Sequence, residues 1–324
     1  MNISLKFYKL SLLMSLFFLS CDVDDNNESY PLPLSTIAEF AANNIDLSNL
    51  AAALNAADGN LLSLLNGGDY TLLAPNNFAF EIFLAKNGFT SIDEVPTDIL
   101  RKILLNHVIS GTVKSSDLAA AVSGYTSTNA TNTDGNFLSM YFSTNNGVVF
   151  NGVSTVLNPD IAASNGVMHV VDALIELPTV VTFATANPGF ETLVAALTRD
   201  DLSEDFVSIL STTIEPAPFT VFAPTNEAFS SLFSELGVKS LNDIDTATLE
   251  STLGTHVVAK ANVRSEDLFN GMLITTIGDD LTISVGTGPQ LVDMNSRTAN
   301  IIAADIQAYN GVIHVIDNVM LPKL

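Results

Sequence analysis

The sequence predicts an α+β fold that occurs twice in tandem. Residues 70–80 (YTLLAPNNFAF) return at 219–229 (FTVFAPTNEAF), and residues 165–172 (NGVMHVVD) return at 310–317 (NGVIHVID). These repeats agree with the length of the chain, because 324 residues are enough for about two domains. Within each copy, helical patterning precedes strand patterning, which is typical of α+β domains with a largely antiparallel sheet.

Each copy begins with a predicted helix. Ile37, Phe40 and Ala41 have the i, i+3, i+4 spacing of one buried helix face. The segment TIAEFA at 36–41 returns as TVVTFA at 179–184. We therefore expect the same first helix in both copies.

A corner between a strand and a helix follows in each copy. Short strands are predicted at 71–73 and 220–222, and each leads into an Ala-Pro pair. Proline cannot continue a strand ladder, and the polar pairs Asn76–Asn77 and Thr225–Asn226 that come next are good helix caps. The residues that we assign to the fold signature at this corner are Pro75, Asn77, Pro224 and Asn226.

The second half of each copy has strand patterning. In the first copy it predicts strands at 137–143, 148–150 and 153–157, and the Asn151–Gly152 pair predicts a two-residue hairpin between the last two. The segment 123–136 is rich in Ser, Thr, Asn and Gly and is predicted to be an exposed loop. The strands predicted in the second copy are 281–285, 291–294 and 301–306.

The whole chain is strongly acidic. Its formal net charge is −23, with four basic and 13 acidic residues in 34–178 and six basic and 18 acidic residues in 179–324. Both copies would repel a phosphate backbone, so the composition argues against nucleic acid as a partner. The charge favours cationic or neutral partners, and ordinary solvation of the surface is an equally good explanation of it.

Residues 1–20 are predicted to be a signal peptide. Lys6 and Lys9 precede an apolar run at 10–20, which is too short for a membrane-spanning helix of about 20 residues. The sequence Phe-Leu-Ser-Cys at 18–21 resembles the lipobox of bacterial lipoproteins. That resemblance implies that Cys21, the only cysteine of the chain, is lipidated and becomes the mature N-terminus. Ordinary secretion with a coincidental cysteine is the alternative.

Residues 21–33 are predicted to be a lipidated cysteine followed by a flexible acidic tether. The stretch 22–29 contains four acidic residues and resembles the export signals of surface lipoproteins of the Bacteroidetes group. These features predict a bacterial cell-envelope protein that is anchored to the membrane through Cys21, in the outer membrane and exposed at the cell surface. Surface and periplasmic orientations both stay open.

The repeated boxes resemble the fasciclin domain. Its first signature is a strand followed by Ala-Pro-(Thr/Asn)-Asn-x-Ala-Phe, and its second is Asn-Gly-Val-Ile-His-Val-Ile-Asp before a hydrophobic run that ends in proline. A middle element, a histidine followed by two β-branched residues, matches at His107 and His256. The resemblance assigns a first module to 34–178 and a second to 179–324. It implies a wedge of two small sheets, like a small β-sandwich, with helices packed on one side.

The family is known mainly for adhesion in extracellular matrices and on cell surfaces. Animal members often carry a tyrosine directly before the middle histidine, in a motif linked to integrin binding. This chain has Asn106 and Thr255 there, so integrin recognition is not expected.

The four histidines are the first candidates for metal binding or catalysis. They are His107 and His169 in the first module and His256 and His314 in the second. No His-x-His or His-Glu-x-x-His spacing is present, so we expect fold-determining residues and no metal site. The neighbours of His169 and His314 are apolar, so a buried imidazole there needs a polar partner. The two hypotheses for that partner are the backbone and the corner residues around Asn77 and Asn226.

No enzymatic pattern emerges from the remaining residues. His169 and Asp172 are three positions apart on a predicted strand, so their side chains point to opposite faces. The sequence contains no Gly-x-Ser-x-Gly elbow and no phosphate-binding glycine loop. The acidic cluster at 200–205 lacks the spacing of a calcium loop, and both weak divalent-cation binding and a solvated helix end stay open. We expect no enzyme and no cofactor.

The sequence therefore predicts a lipid-anchored envelope protein that mediates adhesion or matrix binding through two tandem modules. Its expected partners are the membrane, through Cys21, and an unknown extracellular protein or glycan. The alternative is a glycan- or small-ligand-binding accessory lipoprotein of a nutrient-uptake system. A purely structural spacer is a third possibility.

Overall fold

The structure, a computed structural model, describes residues 34–57, 61–286 and 288–323. The predictions for the signal peptide 1–20, for Cys21 and for the tether up to residue 33 lie outside these described residues.

The described part of the first module contains six α-helices and seven strands. The helices are α1 (Ile37–Asn43), α2 (Ser48–Ala56), α3 (Leu61–Asn66), α4 (Asn77–Lys86), α5 (Thr97–Asn106) and α6 (Ser115–Ala121). The strands are β1 (Tyr70–Pro75), β2 (Val108–Ser110), β3 (Ser123–Thr131), β4 (Phe137–Ser143), β5 (Val149–Phe150), β6 (Ser154–Ala163) and β7 (Gly166–Val171).

The described part of the second module repeats this order with five helices and seven strands. The helices are α7 (Val180–Ala186), α8 (Glu191–Leu197), α9 (Phe206–Ser211), α10 (Asn226–Leu236) and α11 (Thr246–Thr255). The strands are β8 (Phe219–Pro224), β9 (Val257–Ala259), β10 (Leu273–Ile274), β11 (Leu281–Val285), β12 (Pro289–Val292), β13 (Thr298–Ala308) and β14 (Gly311–Ile316).

The strands of the first module pair in chain order, and β7 returns to pair in parallel with β1, so that the sheet closes. In the second module the strand order is β10-β11-β12-β13-β14-β8-β9. There β14 pairs in parallel with β8. The two end strands of this order are β10 and β9, and Ile277, which follows β10, donates a backbone hydrogen bond of 2.8 Å to Val257 of β9. The other named strand pairs are antiparallel, which confirms the predicted α+β class with a largely antiparallel sheet.

The wedge shape follows from bulges in one long strand of each module. The pairing of β6 with β7 shifts its register twice, and the pairing of β13 with β14 does the same. Asp160 and Asp305 lie within these irregular stretches with φ values of 58° and 61°. A bulge bends its strand, so β6 and β13 each pass from one small sheet into the other.

The predicted corner between strand and helix is present in both modules. Asn76 accepts a hydrogen bond of 2.8 Å from the backbone amide of Ala79, and Thr225 accepts one of 3.2 Å from Ala228. Each side chain therefore caps the helix that follows, α4 or α10, because it satisfies a backbone amide that has no partner within the helix.

The loop prediction for 123–136 is wrong for residues 123–131, which form β3, whereas 132–136 form the turn between β3 and β4. The small polar side chains resemble a loop, but the backbone pairs with β4 from Ser123 to Ser127 and with β2 at Thr128. Thr128 and Ala130 are buried. Sheet pairing overrides local composition here, since β propensity depends mainly on the surroundings of a residue.

The hairpin at Asn151–Gly152 differs slightly from its prediction. The last pair of β5 and β6 joins Phe150 with Ser154, so the connection holds three residues. Asn151 and Gly152 have φ values of 47° and 71°, the left-handed conformation that these two residue types adopt most readily.

The two modules lie within one structural unit, residues 34–324, and aromatic side chains connect them. Tyr141 of β4 is buried in the hydrophobic core of the second module. The ring of Tyr125 lies 5.1 Å from that of Tyr141 and 5.6 Å from that of Phe183 on α7. The hydroxyl of Tyr125 accepts a hydrogen bond of 3.2 Å from Asn187. Burial raises the pKa of Tyr125 to about 12, so this contact stays neutral.

Polar contacts extend the junction beyond this aromatic cluster. The backbone amide of Gln307 donates a hydrogen bond of 3.0 Å to the hydroxyl of Ser139. Lys102 lies 3.0 Å from the hydroxyl of Tyr309 and 5.0 Å from the centre of its ring. The two modules are thus packed against each other and are not connected by a free linker alone.

Among the described residues, no single helix is long and apolar enough to cross a bilayer. One pair of helical segments, 180–186 and 188–197, meets the criteria of length and composition only when taken together, and the chain bends by 99° between them. Phe183 and Leu193 of this pair are buried in the core of the second module.

Candidate functional site

His107 is buried at the C-terminal end of α5 and uses both of its ring nitrogens. Its Nδ1 lies 2.7 Å from the carbonyl oxygen of Ile103, and its Nε2 lies 2.9 Å from the backbone amide of Ile175. The amide can only donate, so Nε2 accepts and Nδ1 carries the proton. The imidazole therefore joins the end of α5 to the segment that follows β7.

His256 repeats this arrangement in the second module. Its Nδ1 lies 2.7 Å from the carbonyl oxygen of Thr252, and its Nε2 accepts a hydrogen bond of 3.0 Å from the backbone amide of Met320. Burial lowers the pKa of both His107 and His256 to about 4. Both rings are consequently neutral at pH 7, and each is fully occupied by backbone groups.

His169 lies on β7, and its partners are also backbone groups. Its Nε2 lies 2.9 Å from the carbonyl oxygen of Val113, and its Nδ1 lies 3.1 Å from the backbone amide of Asp160. Of the two hypotheses for this partner, the backbone is therefore the correct one for His169. The ring holds the bulge of β6 against the turn that precedes α6.

His314 occupies the same place on β14. Its Nε2 lies 2.9 Å from the carbonyl oxygen of Val263, and its ring stacks on Phe222 with 5.7 Å between the ring centres. Its Nδ1 is buried and has no hydrogen-bond partner among the described residues. Burial lowers the pKa of His314, which keeps this ring neutral at pH 7 as well.

Asn77 and Asn226, which were considered as partners of the sheet histidines, connect helices instead. The side chain of Asn77 accepts a hydrogen bond of 2.9 Å from the backbone amide of Asn49 and donates one of 2.9 Å to the carbonyl of Ile45. Asn226 accepts the corresponding bond, also 2.9 Å, from Thr192. Each asparagine thus ties the first turn of one helix to the start of another.

A serine and an aspartate lie beside each sheet histidine, and their role could not be predicted from the sequence. The backbone amide of Ser115 donates a hydrogen bond of 2.9 Å to Asp160, and its hydroxyl donates a second one. Ser265 and Asp305 make the same two bonds in the second module. Burial acts to raise the pKa of both aspartates, but these hydrogen bonds outweigh it and the pKa of each is lowered.

This group of Ser, Asp and His does not have the geometry of a catalytic triad. In a triad the histidine accepts the proton of the serine hydroxyl, whereas here the hydroxyl of Ser115 donates to Asp160. His169 donates to a backbone carbonyl and is buried. Asp172 lies elsewhere and accepts a hydrogen bond of 2.7 Å from the amide of Thr155. The arrangement stabilises a bent strand and offers no activated nucleophile.

Two carboxylates of the acidic cluster at 200–205 have partners within the protein. Asp201 pairs with Arg199 at 2.6 Å, and Asp205 caps α9 by accepting a hydrogen bond of 2.9 Å from Ser208. In the described ranges, no group of three or more His, Cys, Asp and Glu side chains is placed to hold a metal ion.

Replacing His169 with alanine is expected to lower the free energy of unfolding by about 2–4 kcal/mol. The change leaves the carbonyl of Val113 and the amide of Asp160 without partners and empties the volume of the ring. Urea unfolding of both proteins measures the difference. Asn158→Ala, at an exposed position of β6, is the control and should change stability little. Unchanged stability of His169→Ala would contradict the structural role.

Comparisons with known proteins agree with this architecture. The Fasciclin domain family matches residues 45–178 and 188–322. Protein sll1483 of Synechocystis is 38% identical over 146 residues, which are 45% of this chain and 74% of that protein. Transforming growth factor-beta-induced protein ig-h3 of Sus scrofa is 31% identical over 182 residues, which are 55% of this chain and 24% of that protein. The chain thus spans about a quarter of the animal relative.

A solved structure with the same fold is a FAS1 domain pair from the insect cell adhesion molecule fasciclin I. It covers 85% of this chain and 97% of its own, with a TM-score of 0.50 and 19% sequence identity. At this identity the likeness concerns the fold alone. The two matched segments of the domain family cover most of the sequence. The chain therefore belongs to the fasciclin domain family and carries that domain twice.

Proposed function

We propose that the chain is a lipid-anchored protein of the bacterial cell envelope that adheres to a neighbouring surface or matrix through its two fasciclin modules. The observation that carries this proposal is the pair of fasciclin domains, packed together through Tyr141 and Phe183. Fasciclin domains are linked to cell adhesion and matrix binding in homologues. The buried histidines have backbone partners and offer no exposed catalytic group.

The anchor is tested by replacing Cys21 with serine and fractionating cells that express either protein. The wild-type chain should stay with the membrane and the variant should be released, because acyl chains on the cysteine supply the membrane affinity. A variant that stays membrane-bound would contradict lipidation at Cys21.

The orientation and the adhesive role are tested on the same cells. Protease added to intact cells should remove the modules, and cells that carry the chain should attach to immobilised matrix proteins more strongly than cells without it. Modules that resist protease until lysis would contradict adhesion to other surfaces. Binding of soluble glycans without any attachment would favour the accessory lipoprotein of a nutrient-uptake system.

A further inference from the structure

A groove with exposed apolar walls runs between α4 and β6 of the first module. Phe78 and Ile82 lie one turn apart on α4 and are 62% and 49% exposed. Val153, directly before β6, and Leu157 in β6 are 61% and 56% exposed. Phe78 and Leu157 line a hollow of about 510 Å³. Ile82 and Val153 line a second hollow of about 390 Å³, whose lining also includes Thr179 and Thr182 of the second module. We call these four apolar side chains, with the two hollows that they line, the α4–β6 groove, and the side chains alone its apolar strip.

The second module keeps only one of these four apolar side chains. At the corresponding repeat positions, Glu227 stands in place of Phe78 and Ser231 in place of Ile82, while a threonine replaces Val153. All three replacements are exposed, and α10 still forms with its own cap. Leu157 keeps an apolar counterpart, Ile302, which is 56% exposed. Three of the four apolar side chains are thus not needed for folding, and exposed apolar patches of this kind mark interaction sites.

The rim of the groove carries negative charge. Asp46 and Glu81 line the larger hollow, and neither takes part in an ion pair among the described residues. Lys86 lines the smaller hollow, but Glu176 lies 2.6 Å from its ammonium group and balances its charge. The groove therefore combines apolar walls with acidic groups that have no cationic partner.

We propose that the α4–β6 groove binds a cationic amphipathic segment of a partner protein. Apolar side chains of that segment fill the strip, and its Lys or Arg residues face Asp46 and Glu81. A second copy of this chain, with a net charge of −23, would place like charges together. The inference rests on the proposed adhesion and names the chemistry of the partner.

Synthetic peptides test this proposal on the purified full chain. The first peptide is a helix with leucines on one face, lysines on the other and one tryptophan. Its acidic twin has glutamate for lysine, and its polar twin has serine for leucine. The chain contains no tryptophan, so the fluorescence of the peptide reports binding directly. We expect the first peptide to bind about tenfold more tightly than either twin, and salt to weaken its binding.

Phe78→Glu separates groove binding from general attraction between opposite charges. The variant adds a negative charge, so charge alone would tighten binding of the basic peptide, whereas loss of the apolar wall should weaken it about tenfold or more. The fold should tolerate the change, because Glu227 occupies the matching position. Ile214→Glu is the matched control, since Ile214 is 75% exposed and lies outside the groove. Circular dichroism verifies that both variants are folded.

Several outcomes would overturn the proposal. One is equal or tighter binding of the basic peptide by Phe78→Glu, and another is equal weakening by Ile214→Glu. If the wild-type chain sediments as a dimer and Phe78→Glu sediments as a monomer, the occupant of the groove is a second copy of the chain. If the wild-type chain binds neutral phospholipid vesicles and Phe78→Glu abolishes that binding, the occupant of the groove is a lipid surface.

A cell-attachment assay separates this proposal from the adhesive function. Attachment and peptide binding that both survive Phe78→Glu would refute the groove and leave adhesion standing. Peptide binding by a wild-type chain that mediates no attachment would refute adhesion and leave the groove standing.

Discussion

Lowering the pH from about 6.5 to about 4 is expected to reduce the free energy of unfolding by about 3 kcal/mol for each of His107 and His256. Burial lowers the pKa of both rings to about 4 in the folded chain, whereas an unfolded histidine titrates near about 6.5. Between these values the unfolded state binds more protons than the folded state. Stability is therefore lost as the pH falls through this window.

Urea unfolding at steps of pH measures this loss. His107→Gln should be less stable than the wild type at pH 7, but its stability should fall less steeply with decreasing pH. Asp160 and Asp305 do not contribute to the loss above pH 5, because hydrogen bonds from Ser115 and Ser265 lower the pKa of each carboxyl and both keep their charge there. Wild-type stability that is constant between pH 6.5 and 4.5 would contradict the buried, neutral state of the two histidines.

Gly166→Ala is expected to cost about 3 kcal/mol or more of unfolding free energy. Gly166 begins β7, where it pairs with Tyr70 of β1 and has a φ of 136°. A Cβ atom there would lie 1.9 Å from the carbonyl oxygen of Tyr70, so the two strands would have to separate. Urea unfolding measures the loss, with circular dichroism to show whether the variant still folds.

Gly135→Ala is the matched control for this steric effect. Gly135 has a φ of 84°, but a Cβ atom there would meet no atom within 4 Å. Only the backbone strain remains, and we expect a loss of about 1–2 kcal/mol. Equal losses in the two variants would show that the contact with Tyr70 is unimportant.

The parts of the fold that could be predicted from the sequence have local causes. Pro75 and Pro224 end β1 and β8, and Asn76 and Thr225 cap the following helices with their own side chains, so the corner was predicted in both modules. The repeated boxes then carried the family resemblance. The family comparison and the related domain pair confirm that resemblance.

The features that escaped prediction depend on contacts between distant residues. Ser115 and Asp160 are 45 positions apart, and only the bent β6 brings them together. Phe78 and Phe80 look equivalent in the nearly all-apolar sequence of α4, yet Phe80 is buried and Phe78 is exposed. Periodicity cannot separate two such residues without knowing where the neighbouring strand lies.

The parallel pairing of β1 with β7 also has a consequence for the order in which the chain is made. β1 begins at Tyr70, and its partner begins at Gly166, near the end of the first module. A ribosome therefore releases the first strand of the sheet long before the strand that completes it. Until β7 is synthesised, β1 can pair only with β2, and its other edge has no strand partner. Each module thus becomes a finished domain only when its last strand has been synthesised, and the second module repeats this delay with β8 and β14.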